Sequence, residues 1–243
     1  MKKLKTTAIV LAAGRGKRMN SSVQKQYLLI GDKPVLYYSL KAFEESSVSD
    51  IVLVTGENEI DFCQREIVEK YGIHKVRTVV AGGEERYHSV ARGLSAINRE
   101  CDYVFIHDGA RPLVDADIIE RALIAVRQNS ACAVGMPVKD TIKLADAAGY
   151  VQATPERSLV WQIQTPQVFE RELITGAYKK LISEEAMLKA ANVSITDDAM
   201  VVERFADVPV KLVEGTYKNI KITTQEDLKL AEILLGIDSQ KKN

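Results

Sequence analysis

Cysteine is scarce: Cys63, Cys101 and Cys132 are the only three in 243 residues. Scattered through apolar or helical context, with no paired-ligand spacing, they suggest neither a disulfide framework nor a zinc site. They read as buried or half-buried thiols in a reducing cytoplasm. Charge of one sign is not in excess, because Lys plus Arg and Asp plus Glu each number 33. Without a global basic field, neither nucleic acid nor an anionic membrane is expected as a partner, and anion binding must be local. A membrane-length apolar run is also missing. The one that follows the lysines of Met1 to Lys5 meets glycine and charge by Gly14, too short for a span and wrong for a secretory signal. No internal repeat is visible.

What is present is regular alternation. Apolar strand candidates fall at 7 to 12, 51 to 54, 76 to 80, 103 to 107 and 131 to 136, separated by helical segments at 34 to 45, 59 to 71, 86 to 98 and 115 to 128. Helical patterns also run from Glu170 to Leu181 and from Thr224 to Leu235, with strands expected at 210 to 214 and 219 to 223. This order predicts one α/β domain over 1 to 243, a mostly parallel sheet with helices on both faces. Ligands of such sheets lie beyond the C-terminal strand edges. That rule gathers the 12 to 25 loop, Gly82-Gly83-Glu84, His107 to Pro112 and Val138 to Thr141 onto one rim. Residues 139 to 160 break the rhythm, with a hairpin turn expected around Asp146 to Tyr150 and Gly149 at its permissive position. An arm that short has no core of its own and must pack on its parent domain or on a second subunit.

The first rim loop is the most informative. After a buried strand come Ala12-Ala13-Gly14-Arg15-Gly16-Lys17-Arg18-Met19 and then Lys25-Gln26. Small residues let backbone N–H groups approach an anion, and the cations offer charge-assisted hydrogen bonds to phosphate. No Gly-Lys-Ser/Thr closes the loop, so it is not a P-loop, and two glycines make a poor dinucleotide fingerprint. A dehydrogenase would also want an acid about two dozen residues beyond the glycines, whereas the second strand ends at Thr55-Gly56-Glu57.

Over nearly its full length the chain resembles the bacterial 2-C-methyl-D-erythritol 4-phosphate cytidylyltransferases of the non-mevalonate isoprenoid pathway. The resemblance is carried by Ala12-Ala13-Gly14-x-Gly16-x-Arg18-Met19, Lys25-Gln26-Tyr27, Gly82-Gly83-x-x-Arg86 with Ser89-Val90, and His107-Asp108-x-Ala110-Arg111-Pro112. It continues through Asp140-Thr141, Gln164-Thr165-Pro166-Gln167-x-Phe169, Thr196-Asp197-Asp198 and the stretch from Gly215 to Thr223. It implies a Rossmann-like nucleotidyltransferase fold with a projecting β-arm at 139 to 160. The implied reaction moves a cytidylyl group from CTP to the polyol phosphate, with Mg²⁺ as cofactor and pyrophosphate leaving. Because the attacking phosphate is already ionised, positioning and charge neutralisation must carry such catalysis.

The resemblance assigns Lys25, Arg18 and Lys221 to the triphosphate and its transition state, and Asp108 to the Mg²⁺ site. It assigns the nucleotide to Ala12, Ala13, Gly14, Gly16, Gly83, Glu84 and Ser89, although similar enzymes often carry Asp where Glu84 stands. Arg111 is expected as a substrate-side cation, Thr141, Arg157 and Thr165 on the substrate phosphate, and Thr196 on the polyol. In the family the arm is exchanged between the subunits of a homodimer, which implies that Arg157 and Thr165 serve the partner's site and Thr141 its own. His107 reads instead as a hydrogen-bonded packing residue, and Thr196 to Asp198 also fit a helix cap. A D-ribitol 5-phosphate cytidylyltransferase and a non-catalytic nucleotide-binding module are the rival readings. Hexose 1-phosphate nucleotidylyl transfer would want a longer insertion than this arm.

Overall fold

The structure, a computed structural model, describes residues 4–14 and 24–237. Arg15, Gly16, Lys17 and Arg18 lie outside the described residues. Strand β1 (Thr6–Leu11) is buried along nearly its whole length because both its faces are covered. It pairs in parallel with β4 (Asp50–Thr55) on one side and β6 (Tyr103–Asp108) on the other. Between them in sequence lie the short hairpin β2 (Leu29–Ile30) and β3 (Lys33–Pro34), helix α1 (Val35–Glu44), and β5 (Val76–Ala81) at the sheet edge. Beyond β6 come β7 (Ala131–Pro137), the arm strands β8 (Leu144–Ala145) and β9 (Val151–Ala153), β10 (Trp161–Glu170) and β11 (Lys211–Glu214). Among the described residues the sheet has seven strands in the order β11-β7-β10-β6-β1-β4-β5.

Alternation along β1 divides the core. Ala8 and Val10 face α1, the π-helical turns of Cys63–Glu69 and α4 (Ala116–Asn129). Ile9 faces the opposite layer of α3 (Arg86–Ala96), α5 (Arg171–Ala190) and α6 (Asp198–Ala206). Asp115 caps α4, its carboxylate accepting the Ile118 N–H at 2.8 Å, and Asp197 caps α6 by accepting from Met200 at 3.0 Å. The helix expected over 59 to 71 is a composite. A 3-10 turn leads into α2 (Ile60–Phe62), which widens into the π-helix and directs Cys63, Ile67 and Val68 inward. The last helix, α7 (Gln225–Leu234), packs a small satellite core of Ile30, Val35, Ile222 and Ala231. No helix among the described residues is long and apolar enough to cross a membrane.

Two elements depart from expectation. Strand β10 is antiparallel between β6 and β7, although Pro166 argues against a central strand. The proline sits where the register shifts between Ile163 and Gln167, next to a cis Thr165–Pro166 bond, so the ladder is interrupted where it lacks a donor. Residues 219 to 223, expected as a strand, form a segment without regular secondary structure, pinned by the Ile222 N–H to the Ala110 carbonyl at 2.8 Å and by the buried Asn219. The arm is a hairpin as expected, with Gly149 at φ +87° in its turn. Leu144, Tyr150, Val151 and Leu159 are exposed along and beside it.

Candidate active site

The chain runs from β1 outward to β5 and then returns to β6 on the far side of β1, so the C-terminal ends of β1 and β6 diverge into a crevice. Leu11 and Asp108 are register partners at its base. The crevice has a volume of about 710 Å³. Ala12, Ala13 and Gly14 line one wall, and Gly83, Glu84 and Ser89 another. The walls are in close contact: a Cβ on Gly82 would lie 2.4 Å from the Ala13 Cβ. The Ser89 hydroxyl accepts the Gly83 N–H at 3.1 Å and fixes that turn against α3.

Lys25 also lines the cleft, and its two neighbours explain how it is held there. Gln26 is buried and donates its side-chain amide to the Ala12 carbonyl. Tyr27 sends its hydroxyl to Thr55 at 2.8 Å and to Glu59 at 2.9 Å, beside Cys63. Burial, with the Cys63 and Glu59 groups next to it, raises the Tyr27 phenol far above its usual range, so it stays a neutral donor. The Lys-Gln-Tyr triplet thus uses two side chains as anchors and presents the first.

Asp108 is the electrostatic centre. Lys221 donates to its Oδ2 at 2.7 Å, and the Arg86 Nε lies 3.4 Å from Oδ1. Burial alone pushes this carboxyl up. The combined charges of Arg86, Lys221 and Arg111 outweigh it and hold the group ionised, well below the carboxylate range. Behind it, the Thr165 hydroxyl accepts the Asp108 N–H at 3.0 Å and meets His107 Nδ1 at 3.0 Å, while His107 Nε2 lies 3.2 Å from the Arg111 carbonyl. Burial lowers the fully enclosed His107 to about 4, so the ring is a neutral hydrogen-bonding spacer.

The remaining candidates among the described residues do not line the cleft. Arg111 donates NH1 to the Asn219 carbonyl at 2.8 Å and so anchors the segment that carries Lys221. Thr165, expected to serve a partner's site, is buried behind Asp108 of its own chain, where its hydroxyl accepts the Asp108 N–H. Thr141 and Arg157 are exposed at the root of the arm, with Arg157 NH1 3.3 Å from the Lys139 carbonyl. Thr196 is exposed just ahead of α6. Gly16 and Arg18 lie outside the described residues. Sequence reading missed Arg86 as a cleft residue. Its guanidinium makes a two-pronged pair with the fully buried Asp198, at 2.9 and 2.8 Å, and Tyr178 donates to the same carboxylate at 2.5 Å. Arg86 and Asp198 are 112 residues apart, so no local spacing announces the pair.

A mostly parallel, doubly covered sheet whose strand ends carry small-residue turns, two lysines and one ionised carboxylate defines a Rossmann-like protein of the nucleotidyltransferase type. A family model described as 2-C-methyl-D-erythritol 4-phosphate cytidylyltransferase (IspD) matches residues 6–237. The chain belongs to that family. A protein of this name from Lachnoclostridium phytofermentans is 52% identical over 231 residues, covering 95% of this chain and 96% of the relative. Another, from Caldanaerobacter subterraneus subsp. tengcongensis, is 50% identical and covers 96% and 99%. The crystal structure of 4-diphosphocytidyl-2C-methyl-D-erythritol synthase from Anaerococcus prevotii superposes with a TM-score of 0.84 at 34% identity, covering 96% of this chain and 97% of that one.

Proposed function

We propose that this chain transfers the cytidylyl group of CTP to 2-C-methyl-D-erythritol 4-phosphate, giving 4-diphosphocytidyl-2-C-methyl-D-erythritol and pyrophosphate. The observation that carries the reading is the convergence of Lys25, Lys221, Arg86 and Asp108 on one cleft at the strand ends. An oxygen of the substrate phosphate attacks the α-phosphorus, the new P–O bond forms in line, and the bond to the β-phosphate bridging oxygen breaks as pyrophosphate departs. The nucleophile is an anion, so the enzyme supplies position and positive charge rather than a base. Lys25 and Lys221 take charge developing on the α-phosphoryl group, and Arg18 holds the outer phosphates.

Mg²⁺ fits this donor set. Asp108 supplies a hard, ionised carboxylate oxygen in the cleft, and a divalent ion would rest on it and on triphosphate oxygens, the manner in which Mg²⁺ is usually held. Bound there, it neutralises triphosphate charge. The small walls at Ala12, Ala13, Gly14 and Gly83, with Glu84 and Ser89, suit a single pyrimidine ring and its ribose. Arg111 supports the substrate side through the Asn219 segment, and Thr196 stands ready for polyol hydroxyls. The working unit is a homodimer. Exposed Leu144, Val151 and Leu159 need cover, and an arm laid on a second subunit carries Arg157 towards that subunit's substrate phosphate while Thr141 serves its own.

Product analysis by chromatography with mass detection tests the reading, using purified protein, Mg²⁺ and CTP with either polyol phosphate. The expected product is the methylerythritol diphosphocytidyl ester, with little from D-ribitol 5-phosphate. The reverse preference would move the protein to ribitol phosphate chemistry, and no product from either would leave a nucleotide-binding module.

A further inference from the structure

Arg86 stands at the start of α3 with its guanidinium between two carboxylates. Both terminal nitrogens go to Asp198, at 2.9 and 2.8 Å, and Tyr178 holds that carboxylate from behind at 2.5 Å. Asp198 is fully buried and takes no part in the cleft lining. Asp108, which does line the cleft, receives from Arg86 only the long Nε contact of 3.4 Å to Oδ1, while Lys221 occupies Oδ2.

A guanidinium fork favours both oxygens of one carboxylate through parallel N–H bonds. Without Asp198, the nearby acceptor for that fork is Asp108, and pairing there would close the Oδ1 that Lys221 leaves available. We propose that Asp198, backed by Tyr178, is a positioning residue that holds both terminal nitrogens of Arg86 off Asp108, so that Oδ1 carries only the long Nε contact and keeps a lone pair for a divalent cation. The proposal rests on the reading of Asp108 as the cation-binding carboxylate. Its logic is competition between two acids for one base, so removing the base should cancel the effect of removing the competitor.

The test is calorimetric titration of the full chain with CTP, with and without Mg²⁺ and in the absence of polyol phosphate, so that no turnover occurs. The readout is the factor by which Mg²⁺ tightens CTP binding. Asp198→Asn should cut that factor by about tenfold, the lower range for loss of a group that supports a metal ligand. Tyr178→Phe keeps both charges and should shift it in the same direction by less. Arg86→Met combined with Asp198→Asn should recover most of the loss, which a purely structural role for Asp198 would not allow. If Asp198→Asn does not fold, Tyr178→Phe decides the matter alone, an unchanged factor there overturning the positioning role. An unchanged factor in Asp198→Asn and Tyr178→Phe, or a double variant no better than Asp198→Asn, would overturn the positioning role. A parent protein whose Mg²⁺ factor equals that of Asp108→Asn would overturn the cation-binding reading of Asp108, and the positioning role with it.

Discussion

The ammonium of Lys221 lies 2.7 Å from Oδ2 of Asp108, although 113 residues separate them in the chain. The contact exists because the 219 to 223 segment is tied to the β6 exit at both ends. The Arg111 guanidinium grips the Asn219 carbonyl, and the Ile222 N–H reaches the Ala110 carbonyl. Lys221 is therefore delivered to the cleft by main-chain anchoring rather than by its own ion pair.

Replacing Lys221 by Ala should accordingly spare the fold and damage the chemistry. Its side chain is 36% exposed but Asp108 only 12%, and because Arg86 and Arg111 remain beside that carboxylate the loss should cost about 1 to 3 kcal/mol rather than unfold the chain. Loss of one preorganised charge from a phosphoryl transition state is expected to lower kcat by about 10² to 10³. Steady-state kinetics at saturating CTP, beside a thermal melt, measure both. Undiminished kcat would remove Lys221 from the catalytic set.

Much of this architecture was legible because it rests on local periodicity. The strands β1, β4, β5, β6 and β7 are short apolar runs, and the rim follows from their order. Strand β10 was not legible: its pairing is antiparallel, its ladder breaks at Thr165–Pro166, and a proline carries the wrong signal for a central strand. The Arg86 to Asp198 pair escaped for another reason. Its partners meet only after α3 and α6 pack on the same face of the sheet, and charge pairing at that sequence distance has no period. Lys221 was foreseen at the triphosphate through the family resemblance, not through its local pattern, because its segment is not a strand.

Thr165→Val tests the buried polar base of the site. The hydroxyl serves the Asp108 N–H and His107 Nδ1 at once, and valine leaves both without it. A buried group stripped of its partner costs about 1 to 3 kcal/mol, which urea denaturation will register. Turnover should fall as well, since the Asp108 backbone loses its tether. A stability equal to the parent would show that the hydroxyl is dispensable.

Histidine burial sets an acid limit on the fold. In the folded chain His107 is held down to about 4, whereas an unfolded imidazole titrates near about 6.5. Between these values the unfolded chain takes up a proton that the folded chain refuses, so this contribution is complete above about pH 6.5 and is lost as the pH falls towards 4. Linkage makes the loss about 3 kcal/mol across that window. His107→Gln removes it, and the stability gap between parent and variant should narrow on acidification. His74 and His88, common to both proteins, cancel in the comparison. A gap independent of pH would mean that His107 is protonated or solvated in the fold.

The arm offers a separate handle on assembly. Leu159 is 76% exposed, and Leu144 and Val151 of the same arm are exposed as well, apolar side chains that the chain itself does not cover. Leu159→Glu should shift the protein from dimer to monomer in sedimentation velocity and raise the KM for the polyol phosphate. The KM for CTP should change far less, because the nucleotide cleft is built within one chain. Equal sedimentation of parent and variant would exclude this surface from the interface.

Two glycines with opposite surroundings give a paired test of the nucleotide wall. A Cβ on Gly83 would lie 2.3 Å from the Cβ of His88 and 3.3 Å from its carbonyl carbon, so the 82 to 84 turn must move off the start of α3. Overpacking of this kind costs about 1 to 3 kcal/mol. The displaced turn also carries the Gly83 N–H away from Ser89, so Gly83→Ala should raise the KM for CTP by about tenfold, equivalent to about 1.4 kcal/mol of binding. Gly176, inside α5, has nothing within 4 Å of an added Cβ, and Gly176→Ala should stabilise the helix by roughly 0.5 to 1 kcal/mol without touching CTP affinity. Melting curves and CTP kinetics on both variants separate the effects. If Gly83→Ala binds CTP as the parent does, the contact between this turn and the His88 backbone is not what shapes the nucleotide wall.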